Sequence, residues 1–282
     1  MPLVPLYGHH ALRERLAGSA ERDALPSSLL LHGPRGVGKQ RLALWLAQLL
    51  LCGERPRPCG RCQGCRFAAE LTHPDLHWVY PRPRLKDADS TPAEVEQDYA
   101  EGTAERVAAH GLYAPPSGSD AIYVATVRAI VHQAALSPAI ARRKLFVIGD
   151  AERMVPQEGA EAAANAFLKL LEEPPADTTL ILTSSEPGAL LPTIRSRVVG
   201  VRVAPLDEDD MRRFVADPIV ATALDDDRAL PRSTEERLAL AGGAPGALFG
   251  GGEGAAALAG ARRLLAAATA DRATRFRVAF AQ

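Results

Sequence analysis

The sequence is short of several things. Of its 282 residues only 5% are aromatic and four are cysteine, and 33 Lys plus Arg nearly cancel 34 Asp plus Glu, leaving a formal charge of -1. Without a positive excess, this is not a chain whose whole surface is built to grip nucleic acid. With 47% hydrophobic residues it is not a disordered acidic chain either. Four cysteines are too few to staple a chain of this length with disulfides. No apolar run reaches the ~18 residues a membrane-spanning helix needs. The start, Met1-Pro2-Leu3-Val4-Pro5, lacks the basic and apolar stretches of a secretory signal. These absences lead to the expectation of a soluble, cytoplasmic protein with no membrane partner and apolar mass for about two domains.

What is present is concentrated. The cysteines fall together as Cys52-x6-Cys59-x2-Cys62-x2-Cys65, with Gly60 and Gly64 between them. Four soft thiolates in closely spaced knuckles suit tetrahedral zinc with no open position, hence a structural ion. A ferredoxin-type iron–sulfur run would place its fourth cysteine just before a proline, which this spacing does not do. His73 and His77 read as ordinary histidines.

Apolar runs bounded by Gly and Pro predict strands at Ser27–His32, Asp75–Tyr80, Lys144–Asp150, Thr179–Thr183 and Val198–Val203. Helical spacing predicts helices over Gln40–Leu51, Val124–Leu136 and the stretch carrying Ala163, Phe167, Leu170 and Leu171, stopped by Pro174-Pro175. Between them, residues 82–120 turn polar and Pro- and Gly-rich, which predicts a surface insertion with a short helix near Glu94–Ala109. After Pro205 only helical patterns follow, over Asp207–Ala216, Ser233–Ala241 and Ala255–Thr274. Strands alternating with helices, then helices alone, indicate an α/β domain followed by a small helical one.

Gly33-Pro34-Arg35-Gly36-Val37-Gly38-Lys39 fits G-x-x-x-x-G-K between a strand and a helix. Such a loop wraps phosphate oxygens with backbone amides and reaches the outer phosphates with its lysine. The next position should carry a hydroxyl for magnesium and is Gln40. A strand ending in Asp-Glu should complete the site; Asp150 is present, but Ala151 follows and Glu152 comes one residue late. In an extended chain one residue reverses side-chain direction, so Glu152 is expected to point away. This is the pattern of a phosphate site stripped of its hydrolytic parts, with binding of ATP and magnesium left undecided.

Together, Leu30-Leu31-His32 with the glycine loop, the cysteine module, His73-Pro74-Asp75-Leu76, the run from Ala163-Ala164-Asn165 to Glu172-Glu173-Pro174-Pro175 and Leu191-Pro192-Thr193-Ile194-Arg195-Ser196-Arg197 resemble the delta-prime family of the bacterial replicative clamp loader, within the AAA+ superfamily. The resemblance implies an AAA+ P-loop domain over 1–205, with a parallel sheet flanked by helices, a zinc module at 52–65 and the insertion at 82–120. An all-helical lid at 206–249 and a partial or truncated helical collar at 250–282 would follow. It also implies a largely non-hydrolysing subunit of DNA polymerase III, standing in a pentamer with delta and the gamma/tau ATPase subunits. That complex opens the sliding clamp and places it on primer-template DNA. Ser196-Arg197 match the family's Ser-Arg-Cys motif, with Val198 in place of cysteine, so Arg197 is expected to act as an arginine finger on a neighbour's ATP. Ser184 matches the sensor-1 position, and around Ala241–Gly246 the sensor-2 arginine of related ATPases is missing. The alternative is a gamma/tau-type motor, which would want Ser or Thr at 40 and Glu at 151. A P-loop kinase is weaker still, for want of lid arginines or an acceptor site.

Overall fold

In the computed structural model the described residues are 3–85, 90–116, 118–154, 161–228, 230–249 and Gly260. The expected helix at 255–274 and the collar at 250–282 therefore lie, Gly260 apart, outside the described residues.

Five parallel strands form one sheet in the order β2-β3-β4-β1-β5: β1 (Ser28–His32), β2 (Leu76–Val79), β3 (Lys144–Ile148), β4 (Thr178–Ser184) and β5 (Val199–Arg202). The central strands are continuous apolar runs, buried throughout in β3 and β4, as a sheet covered on both faces requires. In register, Leu29 to His32 run beside Ile181 to Ser184 on one side and Val199 to Arg202 on the other. At the outer edge β5 stays exposed, with Val199 half open to solvent.

Helix α1 (His10–Glu21) precedes β1, and α2 (Lys39–Leu51), α3 (Gln63–Glu70), α4 (Pro92–Ala108), α5 (Val124–Ala135) and α6 (Glu161–Glu172) lie between successive strands. The one-turn α7 (Pro192–Arg195) precedes β5, and α8 (Glu208–Ala216), α9 (Pro218–Asp226) and α10 (Thr234–Ala241) follow it. The main core gathers the inner strands with α2, α5 and α6; a second cluster joins Met211, Phe214, Val220, Leu224 and Leu248 with Val4. No described helix is long and apolar enough to cross a membrane.

Three expectations need refining. The helix expected near 94–109 is α4, but it is more than a surface excursion: it runs for 17 residues and buries Val95, Tyr99 and Gly102. Thr91 and Glu94 form a reciprocal capping box at its start, with Pro92 in the first turn, and these are strong helix-starting signals. Its base is clamped by backbone bonds between Arg82 and Ala121 and by the Arg82–Asp98 pair at 2.9 and 2.7 Å. Second, α9 fills a stretch left without structure; Asp217 caps it by accepting from the Ile219 amide at 2.9 Å, with Pro218 in its first turn. Third, the chain after Asp150 is not extended. Asp150 is left-handed (φ 46°) and Ala151–Arg153 form a single 3-10 turn, so the alternation rule does not govern Glu152.

Candidate functional site

The glycine loop leaves the C-terminal end of β1, in the middle of the sheet, and delivers Lys39 as the first residue of α2. That is where an open parallel sheet places its ligands. The first turn of α2 carries no acidic residue, which leaves its N-terminal amides and positive dipole end uncompensated. Gly33 lies beneath Val203, and Gly38 is the residue that caps α2.

The loop is closed upon itself. Lys39 is 5% exposed, and its Nζ donates to Gly33 O (3.0 Å), Pro34 O (2.8 Å) and Ser185 Oγ (2.9 Å). An ammonium has three hydrogens, so all are used. Burial pulls its pKa below the ordinary lysine value, against the pull of Asp150 and Glu152. Gly36 takes a positive φ (79°) and accepts from the Gly246 amide at 2.9 Å. A side chain on Gly36 would press on Gly246 and Ala247, in the 3-10 turn Pro245–Phe249. His9 Nε2 lies 2.8 Å from Val37 O and must be the protonated nitrogen there, with its pKa lowered by burial.

Glu152, expected to point away, turns back to this region: its Oε1 accepts from the Ser185 amide at 2.9 Å. Ser184, at the end of β4, is fully buried and its hydroxyl accepts from the Glu186 amide (3.1 Å), so the hydroxyl on Lys39 belongs to Ser185. Sequence reasoning did not single out Ser185 or His9, because these contacts arise only when distant segments meet.

On the metal side, Gln40 Nε2 donates to Asp150 Oδ2 at 3.0 Å, and Gln40 Oε1 accepts from Trp78 Nε1 (3.0 Å) and Tyr113 OH (3.4 Å). Burial raises the Asp150 pKa, helped by Glu152 and opposed by Lys39, Arg35 and Arg106. These groups do not fit magnesium. That ion demands oxygen ligands in near-octahedral geometry at about 2.0–2.1 Å, and here the Asp150 carboxylate is bonded to an amide N–H, Glu152 is engaged with the Ser185 amide, and the Gln40 oxygen already accepts twice.

The cysteines do fit a metal. Their four Sγ atoms all lie within 4.8 Å of one another, with Cys59–Cys65 and Cys52–Cys62 each at 3.9 Å. Tetrahedral zinc with Zn–S of 2.3 Å would set S···S near ~3.8 Å. Backbone amides point at the sulfurs: Cys59 N at Cys52 (3.4 Å), Cys62 N at Cys59 (3.3 Å) and Cys65 N at Cys62 (3.4 Å). Burial alone would raise the Cys62 thiol, but amide donors from Cys65 and Gly53 outweigh it and bring the pKa down to about 6. Cys62 also caps α3, which ties the cluster to the fold.

Arg197 follows α7, whose Ile194 is buried and anchors the turn. Its Nε and Nη2 each lie 3.2 Å from Glu172 Oε2, and its Nη1 donates to Thr193 O at 3.0 Å. Ser196 Oγ also donates to Thr193 O, at 3.1 Å. Arg195 is exposed. The Arg197–Glu172 pair faces solvent, where such pairs are worth about 0–1 kcal/mol.

Comparison with known proteins adds the following. A family described as "DNA polymerase III, delta subunit" matches residues 8–207. The DNA polymerase III subunit delta' of Pseudomonas aeruginosa is 34% identical over 238 residues, 83% of this chain and 57% of that protein. The gamma/tau subunit of Mycobacterium tuberculosis is 29% identical over 211 residues, 74% of this chain and 30% of that protein. The chain thus spans about half the length of the delta' relatives it matches. A DNA polymerase III gamma-subunit-related protein of Thermotoga maritima aligns over 84% of this chain and 69% of its own, at 20% identity and a TM-score of 0.42.

Proposed function

This chain belongs to the DNA polymerase III delta-subunit family, and from that premise we propose that it is a delta-prime-type, largely non-hydrolysing subunit of a cytoplasmic clamp loader. Its partners are the gamma/tau ATPase subunits and delta, and through them the sliding clamp and primer-template DNA. One observation carries the reading. The chain's own loop has its lysine spent on Gly33, Pro34 and Ser185 and its Gln40 bonded to Asp150, whereas Arg197 is held at the surface by a weak partner.

Phosphoryl transfer depends almost wholly on positioning and charge. A subunit without a fitted metal and with a saturated lysine contributes little turnover of its own. A guanidinium stays charged and donates two parallel hydrogen bonds to a phosphate. Arg197 is then the catalytic group offered to the neighbouring subunit's ATP, exchanging Glu172 for the more highly charged phosphate. Zinc held by Cys52, Cys59, Cys62 and Cys65 supplies structural cross-linking.

An arginine finger is worth on the order of 10³–10⁵ in rate, about 4–7 kcal/mol. In a complex reconstituted with gamma/tau and delta, Arg197→Ala lowers clamp- and DNA-stimulated ATP hydrolysis, and Arg195→Ala lowers it less. The isolated chain shows negligible turnover. Equal hydrolysis and loading by the Arg197→Ala complex would remove the trans role; motor-like turnover by the isolated chain would favour the gamma/tau-type reading.

A further inference from the structure

The segment between β2 and α5 does more than bury one face of α4. Arg106, in the last turn of α4, lays its guanidinium 3.2 Å from the Tyr80 ring centroid, 3.9 Å from that of Tyr113 and 4.7 Å from that of Trp78. Such a cage holds a cation without water. Arg106 Nη1 is buried and has no hydrogen-bond acceptor among the described residues. Burial lowers the Arg106 pKa, and Tyr113, Tyr80 and Asp150 draw it back up. Two of the caging rings, Trp78 and Tyr113, are the ones that donate to Gln40 Oε1.

The chain makes room for this arrangement. A Cβ on Gly149 would lie 2.5 Å from Gln40 Cδ, so the residue before Asp150 must be glycine for the amide to sit there. A Cβ on Gly102, inside α4, would lie 2.3 Å from Arg82 Nη1 and 2.8 Å from Tyr80 Oη. Glycine inside a helix costs about 1 kcal/mol relative to alanine, and here it lets α4 come down onto Tyr80.

We propose that α4 and the nearby Tyr113 are a built-in plug for the metal side of the phosphate loop. Arg106 is its resident cation, held over the rings of Tyr80, Tyr113 and Trp78, and Tyr113 with Trp78 seals Gln40 in place. Gln40 is therefore not the sole barrier to a magnesium nucleotide: restoring a hydroxyl at that position leaves the guanidinium and the aromatic wall in the way. This deepens the reading of a non-hydrolysing loop and rests on it, but does not depend on the trans role of Arg197.

The test uses the full chain and magnesium with a non-hydrolysable ATP analogue, followed by calorimetric titration. The unaltered protein and Gln40→Thr show no saturable binding. Gln40→Thr combined with Arg106→Gln, which keeps a polar head but removes the charge, gains at least about tenfold in affinity over Gln40→Thr alone, or about 1.4 kcal/mol, and chelation of magnesium abolishes the gain. If that double variant fails to fold by circular dichroism, Gln40→Thr with Tyr113→Ala, which opens the aromatic wall and takes away one ring of the Arg106 cage, carries the same comparison. Tight binding by Gln40→Thr alone would overturn the plug while leaving the non-hydrolysing reading intact. Tight binding by the unaltered protein would overturn both. A folded double variant with no gain over Gln40→Thr would overturn the plug.

Discussion

Asp75, in the His73-Pro74-Asp75-Leu76 stretch just before β2, offers a sharp stability test. Its carboxylate is 2% exposed and accepts three backbone amides of the loop before β3: Ala139 (2.5 Å), Ile140 (2.9 Å) and Ala141 (2.7 Å). His73 Nδ1 fixes the turn from the other side, accepting from the Asp75 amide at 3.1 Å. In Asp75→Asn one oxygen becomes an NH2 group that faces an N–H. Losing charge assistance on two bonds costs about 1 kcal/mol each, and stranding the third amide about 1–3 kcal/mol more, so about 3–5 kcal/mol in all. Urea unfolding at neutral pH should show that loss as a lower midpoint with unchanged slope. Burial pushes the Asp75 pKa up, but the three amides and His73 outweigh it and leave it below the usual carboxylate value. A folded-state pKa below the unfolded one stabilises above the unfolded value of about 3.9 and is lost as pH falls through the folded value. The acid limb of the stability profile should therefore flatten in Asp75→Asn. A variant within about 1 kcal/mol of the parent, the net worth of one ordinary hydrogen bond, with an unchanged acid limb, would refute the reasoning.

Two further outcomes are open to direct measurement. Elemental analysis of protein prepared without chelator should find about one zinc per chain, and Cys62→Ser should lower both metal content and melting temperature; unchanged values would remove the metal assignment. Gly149→Ala should destabilise by about 1–3 kcal/mol, the usual cost of overpacking, and truncating the neighbour in Gln40→Ala should relieve most of it; a neutral Gly149→Ala would mean the amide does not sit where it is described.

The parts of this molecule that could be read from the sequence are those whose signal is local. Strands β3 and β4 announce themselves because both faces are buried, and the glycine loop and cysteine module because their function fixes residue types at short spacing. What escaped was assembled across distance. The helix expected near 94–109 is α4, but its depth of burial was not legible, because beside Val95 the buried face is made from Tyr99, Gly102 and the stem of Arg106, which hydropathy does not count as core. Glu152 was misread because a left-handed Asp150 turns the backbone where an extended chain was assumed. Helix α9 carries a sound start signal in Asp217-Pro218, but its 9 residues are too few for a helical period to stand out from the sequence. The partnership of Gln40 with Trp78 and Tyr113 spans 38 and 73 positions of chain, and no window along the sequence contains it.

The contact between Gly36 and Gly246 has a mechanical side. Two bodies that swing against each other need clearance at the joint. Here the turn following α10 is bonded through its backbone to the tip of the glycine loop, and a side chain on Gly246 would come within 2.7 Å of Gly36 Cα. A joint with so little clearance has no backlash. The helical cluster of Met211, Phe214 and Leu224 and the strand that carries the loop are thus joined here through backbone alone, with no side chain at the contact to give way.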